Sequence, residues 1–389
     1  MGIKLLSDID CKNKIVVIRE DLNVPMKSGK ISNDKRIRAA IPTISLALDK
    51  GAGVILLSHL GRPTEGQFEE EFSLKPVAEH LSSLLKKNVV VAKNPDEVKA
   101  KPGECVLVEN IRFFKGEKKN DEKLAETLAG LGDIYVMDAF GAAHRAHAST
   151  EGAVRKAKVA CAGPLLAAEL SAFSKVMDNP SRPLMAIIGG SKVSTKLTLL
   201  KNLLSKVDAL IVGGGIANTF LAATGINVGK SLCEQELLND AKEIMDMAKK
   251  ANKDFPLPID VVTAKELAPN QKTTICDVNS VPNDEMILDI GPKTVELYNN
   301  ILNKASTVVW NGPVGAFETD PFGKGTYEMG KALANSKAFV VVGGGDSVAA
   351  VESYGLADKM GYISTGGGAS LELLEGKLLP AVAALQDRG

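Results

Sequence analysis

The chain has 389 residues, long enough for two or three domains with large cores. Lys plus Arg and Asp plus Glu both total 47, so the formal net charge is zero, which argues against a general nucleic-acid binder or a membrane-surface protein. No apolar run could span a bilayer, no signal-peptide core opens the chain, and the five cysteines form no CxxC pair, so we expect a cytoplasmic protein with reduced thiols.

The first half of the chain predicts repeated strand–helix units. Its apolar strands are continuous and alternate with helical patterns, which indicates a parallel sheet covered on both faces. The predicted strands are Ile15–Ile18, Val54–Leu57, Val89–Val91, Val106–Val108, Tyr135–Met137 and Lys158–Ala160. The predicted helices are Lys35–Lys50, Leu74–Lys87 and Asp121–Ala129.

Arginine or histidine follows four of these strands, at the sheet edge where α/β proteins bind ligands. For one arginine alone, a solvated or salt-bridged surface position is the better interpretation, but four equivalent positions predict a basic pocket for a small multiply charged anion. We expect Arg36, which opens the first helix, to join this pocket, and nearby polar residues to orient the arginines or bind a substrate hydroxyl. The candidates are Arg19, Asp21, Asn23, Arg36, His59, Arg62, Arg112 and Arg145.

A run of good helix formers, Leu165–Met177, separates this half from a second half rich in glycine turns. None of the arginines lies between Pro183 and Asp387. We therefore expect the two halves to hold different anions by different means, with this helix as the connector between domains. One more sheet-covering helix is the alternative.

In the second half, strand–helix alternation continues and four strands run into glycine turns. Such a turn leaves helix N–H groups free at the positive end of the dipole and lets an anion approach closely. One turn can equally serve to pack a helix on a sheet, but four together predict a surface that holds a polyphosphate. The four strands are Leu184–Ile188, Ala209–Val212, Phe339–Val342 and Gly361–Ser364; others are expected at Asp260–Thr263, Ile287–Ile290 and Thr307–Trp310.

Two features beside these turns favour a nucleotide. Lys192 and Lys196 are expected on one face at the start of a helix, where they would reach phosphate oxygens, although a lysine pair alone is usually a solvated face. Asp346 follows a triple glycine, either as a helix N-cap or as the carboxylate that meets Mg²⁺ on the phosphates. Walker A spacing and a dinucleotide-binding GxGxxG are both absent, which disfavours a P-loop protein or a dehydrogenase.

The stretch Trp310–Glu318 predicts an apolar wall and a turn for an adenine ring, with Glu318 placed to take ribose hydroxyls. Taken alone, a packed turn with a solvated glutamate is the better interpretation.

Several long motifs, taken together and in order, resemble those of phosphoglycerate kinases, and the resemblance covers essentially the whole chain. It implies an α/β fold of two doubly wound parallel-sheet (Rossmann-like) lobes joined by a hinge helix. It further implies a phosphoglycerate-binding lobe over 1–164, a hinge over 165–180 and a nucleotide-binding lobe over 181–378, with about 379–389 packing back on the first lobe. The motifs are Arg19–Pro25, Ser58–Pro63, Asp138–Arg145, Gly189–Lys196, Trp310–Glu318, Gly343–Ser347 and Ser364–Glu372.

The resemblance also implies the reaction, which is reversible Mg²⁺-dependent phosphoryl transfer between 1,3-bisphosphoglycerate and ADP, giving 3-phosphoglycerate and ATP. The first-half candidates above would bind the phosphoglycerate, Asp346 would hold Mg²⁺, and the protein would act as a monomer that binds neither nucleic acid nor membrane. The implied catalytic residues are Arg36, Lys192, Gly367 and Gly368. The implied nucleotide-binding residues are Gly190, Lys192, Lys196, Gly213, Gly214, Gly312, Pro313, Glu318, Gly343, Gly344, Gly345, Asp346 and Ser347.

Two other functions stay open. A kinase of another carboxylate, such as acetate or aspartate, is disfavoured by the many arginines, and a catalytically silent nucleotide-binding protein of the same fold is disfavoured by the intact candidate residues. His59 and His144 would allow a phosphohistidine, but a ligand or structural role is favoured. Ser191, Ser194-Thr195 and Asn218 depart from residues common in the family and are expected to alter nucleotide affinity at most.

Overall fold

The computed structural model of the protein describes residues 2–389, which fold into two compact units. The first unit comprises the chain up to Ser171 together with Leu378–Gly389, and the second comprises Ala172–Lys377. Each unit contains its own parallel sheet. Across residues 2–389, no helix has both the length and the apolar character that crossing a membrane requires.

The sheet of the first unit has six parallel strands, as the apolar runs predict. In chain order the strands of this unit are β1 (Ile15–Arg19), β2 (Met26–Lys27), β3 (Lys30–Ile31), β4 (Gly53–Leu57), β5 (Val89–Ala92), β6 (Cys105–Val108), β7 (Ile134–Met137) and β8 (Val159–Ala162). The order across the sheet is β5-β6-β4-β1-β7-β8, while β2 and β3 form a separate hairpin. Every residue of β4, β6 and β7 is buried, because helices cover both faces.

The helices of the first unit lie close to their predicted bounds. They pack an apolar face on the sheet, as Ile37, Ala40 and Ile44 do on the first helix. The helices are α1 (Lys35–Asp49), α2 (Lys75–Leu85), α3 (Glu122–Ala129), α4 (Ala153–Lys156) and α5 (Pro164–Met177). The division between the units falls after Ser171, inside α5.

The second unit is built on a five-stranded parallel sheet. Its strands are β9 (Leu184–Ile188), β10 (Ala209–Val212), β11 (Asp260–Ala264), β12 (Thr274–Asp277), β13 (Met286–Ile290), β14 (Thr307–Asn311), β15 (Phe339–Gly343) and β16 (Tyr362–Ile363). The parallel sheet has the order β10-β9-β14-β15-β16. The remaining helices are α6 (Leu197–Lys206), α7 (Gly214–Ala223), α8 (Leu238–Lys250), α9 (Pro292–Leu302), α10 (Lys324–Ala334), α11 (Gly345–Ser353), α12 (Gly368–Leu374) and α13 (Pro380–Gln386).

One part of the second unit differs from the expected strand–helix alternation. The predicted strands Asp260–Thr263 and Ile287–Ile290 exist, but as β11 and β13 they form a separate antiparallel sheet with β12. Assigning them to the parallel alternation was wrong. The segment Thr274–Asp277 was not predicted, because β12 is short and largely exposed and so lacks an apolar run.

The carboxyl-terminal helix α13 belongs to the first unit. Its apolar residues Ala381, Val382 and Leu385 are buried. The backbone N–H of Ala381 donates to the carbonyl of Ala143 (3.2 Å). Burial of these apolar side chains stabilises the packing of α13 in the first unit, to which the chain returns after the second unit.

Two buried carboxyl groups meet where α5 begins. Asp138 follows β7, and its Oδ1 accepts a hydrogen bond from the N–H of Leu166 in the first turn of α5 (2.9 Å). Glu20 follows β1 and is hydrogen-bonded to Asp138. Burial raises the pKa of Glu20 well above its usual value, and the adjacent Asp138 raises it further. Burial also raises the pKa of Asp138 to about 6, so the pair retains a proton near neutral pH.

This carboxyl pair predicts that stability falls as pH rises. The folded chain keeps a proton on Glu20 that the unfolded chain releases above about pH 4.3. The bound proton therefore contributes fully to the free energy of unfolding below that pH. This contribution is lost as the pH rises towards the folded-state pKa of Glu20, at up to ~1.4 kcal/mol per pH unit for one proton. Glu20→Gln cannot ionise, so we expect its urea midpoint to vary less than that of the wild type between about pH 5 and 8.

The exposed Glu79→Gln is the control, since its side chain lies on the surface of α2. It should reproduce the pH dependence of the wild type. The same slope of urea midpoint against pH for wild type and Glu20→Gln would contradict a shared proton.

Candidate active site

Basic side chains converge beyond the carboxyl ends of four strands of the first unit. Arg19 ends β1, His59 lies two residues beyond β4, Arg112 lies in the short 3₁₀ helix Ile111–Phe113 after β6, and Arg145 follows β7. Arg36 joins them from the first turn of α1. Parallel strands place their carboxyl ends at one edge, which is how residues distant in the chain come together here.

Arg19 is buried and its guanidinium is bonded within the protein. Its Nε donates to Oγ of Ser149 (2.8 Å), and its Nη1 donates to the carbonyl of Glu20. Its Nη2 lies 3.2 Å from Nδ1 of His59. With these donors engaged, Arg19 supports the surrounding side chains more than it presents itself to a ligand.

The environment of His59 defines both its charge and its tautomer. Burial lowers the pKa of His59 well below its usual value, and the positive charges of four arginines lower it further. A guanidinium can only donate hydrogen bonds, so Nδ1 of His59 accepts from Arg19. The neutral ring therefore carries its proton on Nε2, where it is a donor. The four arginines are Arg19, Arg112, Arg36 and Arg145.

Hydrogen bonds through Gly61 tie three loops of this cluster together. Nη1 of Arg112 donates to the carbonyl of Gly61 (2.6 Å), and the N–H of Gly61 donates to Oδ1 of Asn23 (2.8 Å). Burial lowers the pKa of Arg112 to about 10, with the charges of Arg19 and Arg145 acting in the same direction. Arg112 therefore remains charged at neutral pH.

The other predicted residues of the first unit differ in exposure. Nη1 of Arg36 donates to Oδ1 of Asp21 (3.1 Å) and to the carbonyl of Asn23 (3.0 Å). Arg62 and Arg145 are exposed. Nε of Arg145 lies 3.2 Å from Nε2 of His144. Among residues 2–389, Arg62 has no hydrogen-bond or ion-pair partner, so its guanidinium is available to a ligand.

Sequence reasoning missed the buried carboxylate beneath the arginines. Glu117 accepts hydrogen bonds from Oγ and N–H of Ser149 (2.7 and 3.0 Å), and Ser149 in turn accepts from Arg19. Its charge also favours the protonated form of Arg112. Glu117 lies in a lysine-rich stretch that reads as a solvated loop, so no signal in the sequence marks it as a counter-ion.

The glycine turns of the second unit fall into two kinds. A β-carbon on Gly189, Gly213 or Gly312 would overlap a neighbouring turn, and one on Gly214 would lie 2.7 Å from the carbonyl oxygen of Gly190. These glycines allow the turns to pack on one another. A β-carbon on Gly345 or on Gly367, by contrast, would meet no heavy atom within 4 Å.

Lys192 and Lys196 do not occupy the first turns of a helix, and that expectation was wrong. Helix α6 begins at Leu197, and both lysines lie in the turn before it. Oε2 of Glu234 accepts from the N–H of Ser194 (2.9 Å) and holds this turn in place. Lys192 is exposed, so its ammonium faces solvent.

Lys196 is largely enclosed by the ends of two strands. Its Nζ donates to the carbonyls of Gly189 (2.9 Å) and Asn311 (3.2 Å), and also to the side chain of Asn311. Burial lowers the pKa of Lys196 to about 8, while the charge of Asp346 acts in the opposite direction. No pattern in the sequence marks Asn311, the last residue of β14, as a partner for this lysine.

A cleft of about 570 Å³ opens beside these turns. Five of the predicted nucleotide-binding residues line it, namely Gly190, Gly214, Pro313, Glu318 and Asp346. The other eight do not, and these are Lys192, Lys196, Gly213, Gly312, Gly343, Gly344, Gly345 and Ser347. The cleft is within the size range of ligand pockets.

Several residues that line the cleft were not singled out from the sequence, although Ala316 and Phe317 lie within the predicted stretch Trp310–Glu318. Seven of these lining residues are apolar, and they come from the loop after α7, from the loop after β11, from β13 and from the turn after β14. They are Leu232, Leu267, Met286, Ile287, Leu288, Ala316 and Phe317.

Trp310, the first residue of the stretch predicted to form an apolar wall, does not line this cleft. Its ring is fully buried in the core of the second unit, and its Nε1 donates to the carbonyl of Gly312 (2.9 Å). The apolar wall after β14 comes instead from Ala316 and Phe317. Ser347 is also buried, and its hydroxyl accepts a hydrogen bond from the N–H of Gly312.

The remaining predicted positions lie at helix starts. Gly343 ends β15, Gly344 (φ +89°) precedes α11, and Gly345 is its first residue. Gly367 (φ +50°) precedes α12, and Gly368 is the first residue of that helix. The backbone N–H groups at such helix starts have no partner within the helix.

The fold and these two sites define a class of protein. It is an α/β protein that presents arginines in one unit and glycine turns with a cleft in the other, both at the carboxyl ends of parallel strands, an arrangement suited to small-molecule phosphotransfer. The family model described as phosphoglycerate kinase matches residues 6–377.

Phosphoglycerate kinases from several organisms are similar to this chain over its whole length. The chain is 70% identical over 388 residues to a phosphoglycerate kinase of Desulfovibrio desulfuricans, covering 100% of both chains. It is 59% identical to that of Nitratidesulfovibrio vulgaris, covering 100% of this chain and 99% of the relative. The solved phosphoglycerate kinase of Coxiella burnetii has a TM-score of 0.96 at 52% identity, and that of Pyrococcus horikoshii OT3 has 0.84 at 33%, each with full coverage of both chains.

The chain therefore belongs to the phosphoglycerate kinase family. It is an enzyme, a transferase of glycolysis that moves a phosphoryl group between a phosphoglycerate and the nucleotides ADP and ATP. Nothing in these comparisons favours a silent nucleotide-binding protein.

The arginine cluster predicts that His59 does not titrate near neutral pH. We expect a neutral ring with its proton on Nε2 between about pH 6 and 8, because burial and four arginines oppose a further positive charge. Imidazole ¹⁵N shifts in a long-range HSQC measure both properties. Arg19→Met removes one charge and the donor to Nδ1, so the pKa of His59 should rise. A wild-type His59 titrating near pH 6.5 would contradict this description.

Proposed function

We propose that the arginine cluster of the first unit binds 3-phosphoglycerate and 1,3-bisphosphoglycerate. The observation that carries the proposal is the convergence of four arginines around a neutral His59. A phosphoglycerate carries phosphate and carboxylate groups, which guanidinium groups bind through paired charge-assisted hydrogen bonds. The proposed ligands are Asp21, Asn23, Arg36, His59, Arg62, Arg112 and Arg145, with Arg19 as their support.

The second unit, in this proposal, binds ADP or ATP. The phosphates would lie against Gly345, the first residue of α11, where there is open space and where helix N–H groups and the dipole favour an anion. The base would enter the apolar part of the cleft, and Glu318, which lines the cleft, would take ribose hydroxyls. Lys196 would stabilise both a phosphate and the strand ends to which it is bonded. Gly213, Gly214, Gly312, Pro313 and Ser347 would act by shaping the turns.

Asp346 is the residue we propose to hold Mg²⁺ on the nucleotide. It is exposed and lines the cleft. Residues 2–389 contain no group of three or more His, Cys, Asp or Glu side chains that could hold a metal alone. This fits a cation that takes most of its ligands from phosphate oxygens and water, as Mg²⁺ does in kinases. When bound, the ion would neutralise charge on the phosphates.

The transfer step needs positioning and charge neutralisation, with no nucleophilic side chain. The transferring phosphoryl group carries negative charge on three oxygens, with the attacking and leaving oxygens in line. We propose that Arg36 and Lys192 neutralise this charge, and that backbone N–H groups at Gly367 and Gly368 contribute further donors. Direct transfer requires the two bound substrates to meet with water excluded, so we propose α5 as the hinge.

We further propose that the enzyme is monomeric and cytoplasmic and binds neither nucleic acid nor membrane. The support is its balanced formal charge and its membership of a family of glycolytic enzymes.

A coupled assay with ATP, Mg²⁺ and 3-phosphoglycerate tests the proposed roles. Arg62→Ala should raise KM for 3-phosphoglycerate by about tenfold or more, because it removes an available guanidinium. Arg38→Ala is its matched control, since Arg38 is also an exposed arginine of the first unit but pairs with Asp34 (2.9 Å). Lys192→Ala should lower kcat by about a hundredfold or more with little change in KM for 3-phosphoglycerate.

The control for Lys192→Ala is Lys201→Ala, because Lys201 is a partly exposed lysine of α6 that pairs with Glu243 (3.0 Å). Absence of turnover with all three components would reject the proposed reaction. Wild-type kinetics for both Arg62→Ala and Lys192→Ala would leave the reaction standing and reject the residue roles.

Gly345→Ala tests the phosphate site separately from stability. A β-carbon here meets no protein atom within 4 Å, so thermal stability should be unchanged or slightly higher. The methyl group would nevertheless occupy the space proposed for phosphate, and we expect KM for ATP to rise by about tenfold. Gly214→Ala is the contrasting variant and should be destabilised, because Gly214 has φ +64° beside the carbonyl of Gly190. An unchanged KM for ATP in Gly345→Ala would place the phosphates elsewhere.

A further inference from the structure

The cleft of the second unit has an apolar part with one amide side chain among its walls. Leu232 and Leu267 are about half exposed at 50% and 52%, which is unusual for leucines of a folded unit. With Met286, Leu288 and Phe317 they line one cleft. The amide belongs to Asn218, which is only 3% exposed. A flat apolar ring would cover these leucines and meet this amide.

Hydrogen bonding orients the amide of Asn218. Its Nδ2 donates to the carbonyl of Leu232 (3.3 Å), and a carbonyl can only accept, so the nitrogen must lie on that side. Oδ1 has no hydrogen-bond donor among residues 2–389. Because Asn218 lines the cleft, Oδ1 is the atom left to accept a hydrogen bond from a bound ligand.

The position of Asn218 on α7 relates it to the glycine turn. Gly214 and Gly215 open the helix and line the cleft, and Asn218 lies about one helical turn further on. A nucleotide with its phosphates beside the turns would therefore extend its base towards this amide.

We infer that Asn218 is a specificity-determining residue that reads the six-position of the purine. Its Oδ1 accepts a hydrogen bond from the 6-amino group of adenine and repels the 6-oxo oxygen of hypoxanthine or guanine, which has no hydrogen to donate. The inference rests on the proposed binding of the nucleotide in this cleft. The sequence predicts only an effect of Asn218 on nucleotide affinity.

One other polar side chain could oppose this preference. Lys230 also lines the cleft, and an ammonium group has donors only, so it would favour a 6-oxo base. Lys230 is exposed, whereas Asn218 is buried and held by its bond to Leu232. The ordered amide of Asn218 loses less conformational entropy on binding than the exposed ammonium of Lys230 does, so Asn218 should dominate the choice of base.

Three nucleotides that differ at the six-position test the inference in the full-length enzyme with Mg²⁺ and 3-phosphoglycerate. ATP carries an amino group, purine riboside triphosphate carries hydrogen, and inosine triphosphate carries oxygen. We expect kcat/KM to fall in that order, with ATP preferred over inosine triphosphate by about tenfold. Asn218→Leu should bring all three within about twofold of one another.

Asn227→Leu is the matched control, because Asn227 also donates its Nδ2 to a backbone carbonyl, that of Val281 (3.3 Å), but does not line the cleft. Its preference for ATP should equal that of the wild type. Asn218→Ala is the second variant, in case leucine overpacks the site, and an unchanged KM for 3-phosphoglycerate reports that either variant is folded.

An ATP preference that persists in both Asn218 variants would overturn the inference. A wild type that prefers inosine triphosphate would also overturn it and would point to Lys230. Absence of turnover with every nucleotide would instead reject the proposed function. The inference would then be judged by calorimetry, where ATP should bind about tenfold more tightly than inosine triphosphate in the wild type and equally in Asn218→Leu.

Discussion

The first unit depends on holding several positive charges close together. Four arginines act on His59, and such a group repels itself strongly where water is excluded. The buried Glu117 offsets this repulsion through Ser149, which connects its carboxylate to Arg19. His59 adds no further charge because its ring is neutral. The cluster can therefore stay charged and ordered, which is what an anion with several charges requires of its binding site.

The second unit depends on a different constraint, which is the close packing of several backbone turns against one another. The glycines at 189, 213 and 312 pack against one another because a β-carbon at any of them would overlap a neighbouring turn. Lys196 then joins the ends of β9 and β14. Gly345 at the start of α11 and Gly367 before α12 instead face open space. Some glycines thus allow the turns to pack closely, while others leave room for a ligand, although the glycine turns look alike in the sequence.

Much of the fold could be predicted, because buried parallel strands are continuous apolar runs and their bounds follow from that pattern. The bounds of β9 and β10 agree with the predicted ones. The antiparallel pairing of β11 with β13 could not be predicted, since periodicity identifies a strand but not its neighbours. The sequence likewise could not show which residues of Trp310–Glu318 would line the cleft, because a motif does not reveal which face a side chain presents.

The sequence by itself determined the elements, the family and the edge of the sheet at which the arginines gather. These depend on local patterns and on the rule that ligands bind beyond the carboxyl ends of parallel strands. Only the tertiary structure decided the tautomer of His59, the counter-ion Glu117, the pairing of Glu20 with Asp138 and the orientation of Asn218. Each of these depends on burial and on partners that are distant in the chain. Local sequence patterns reveal neither which distant residues come into contact nor which side chains are shielded from solvent.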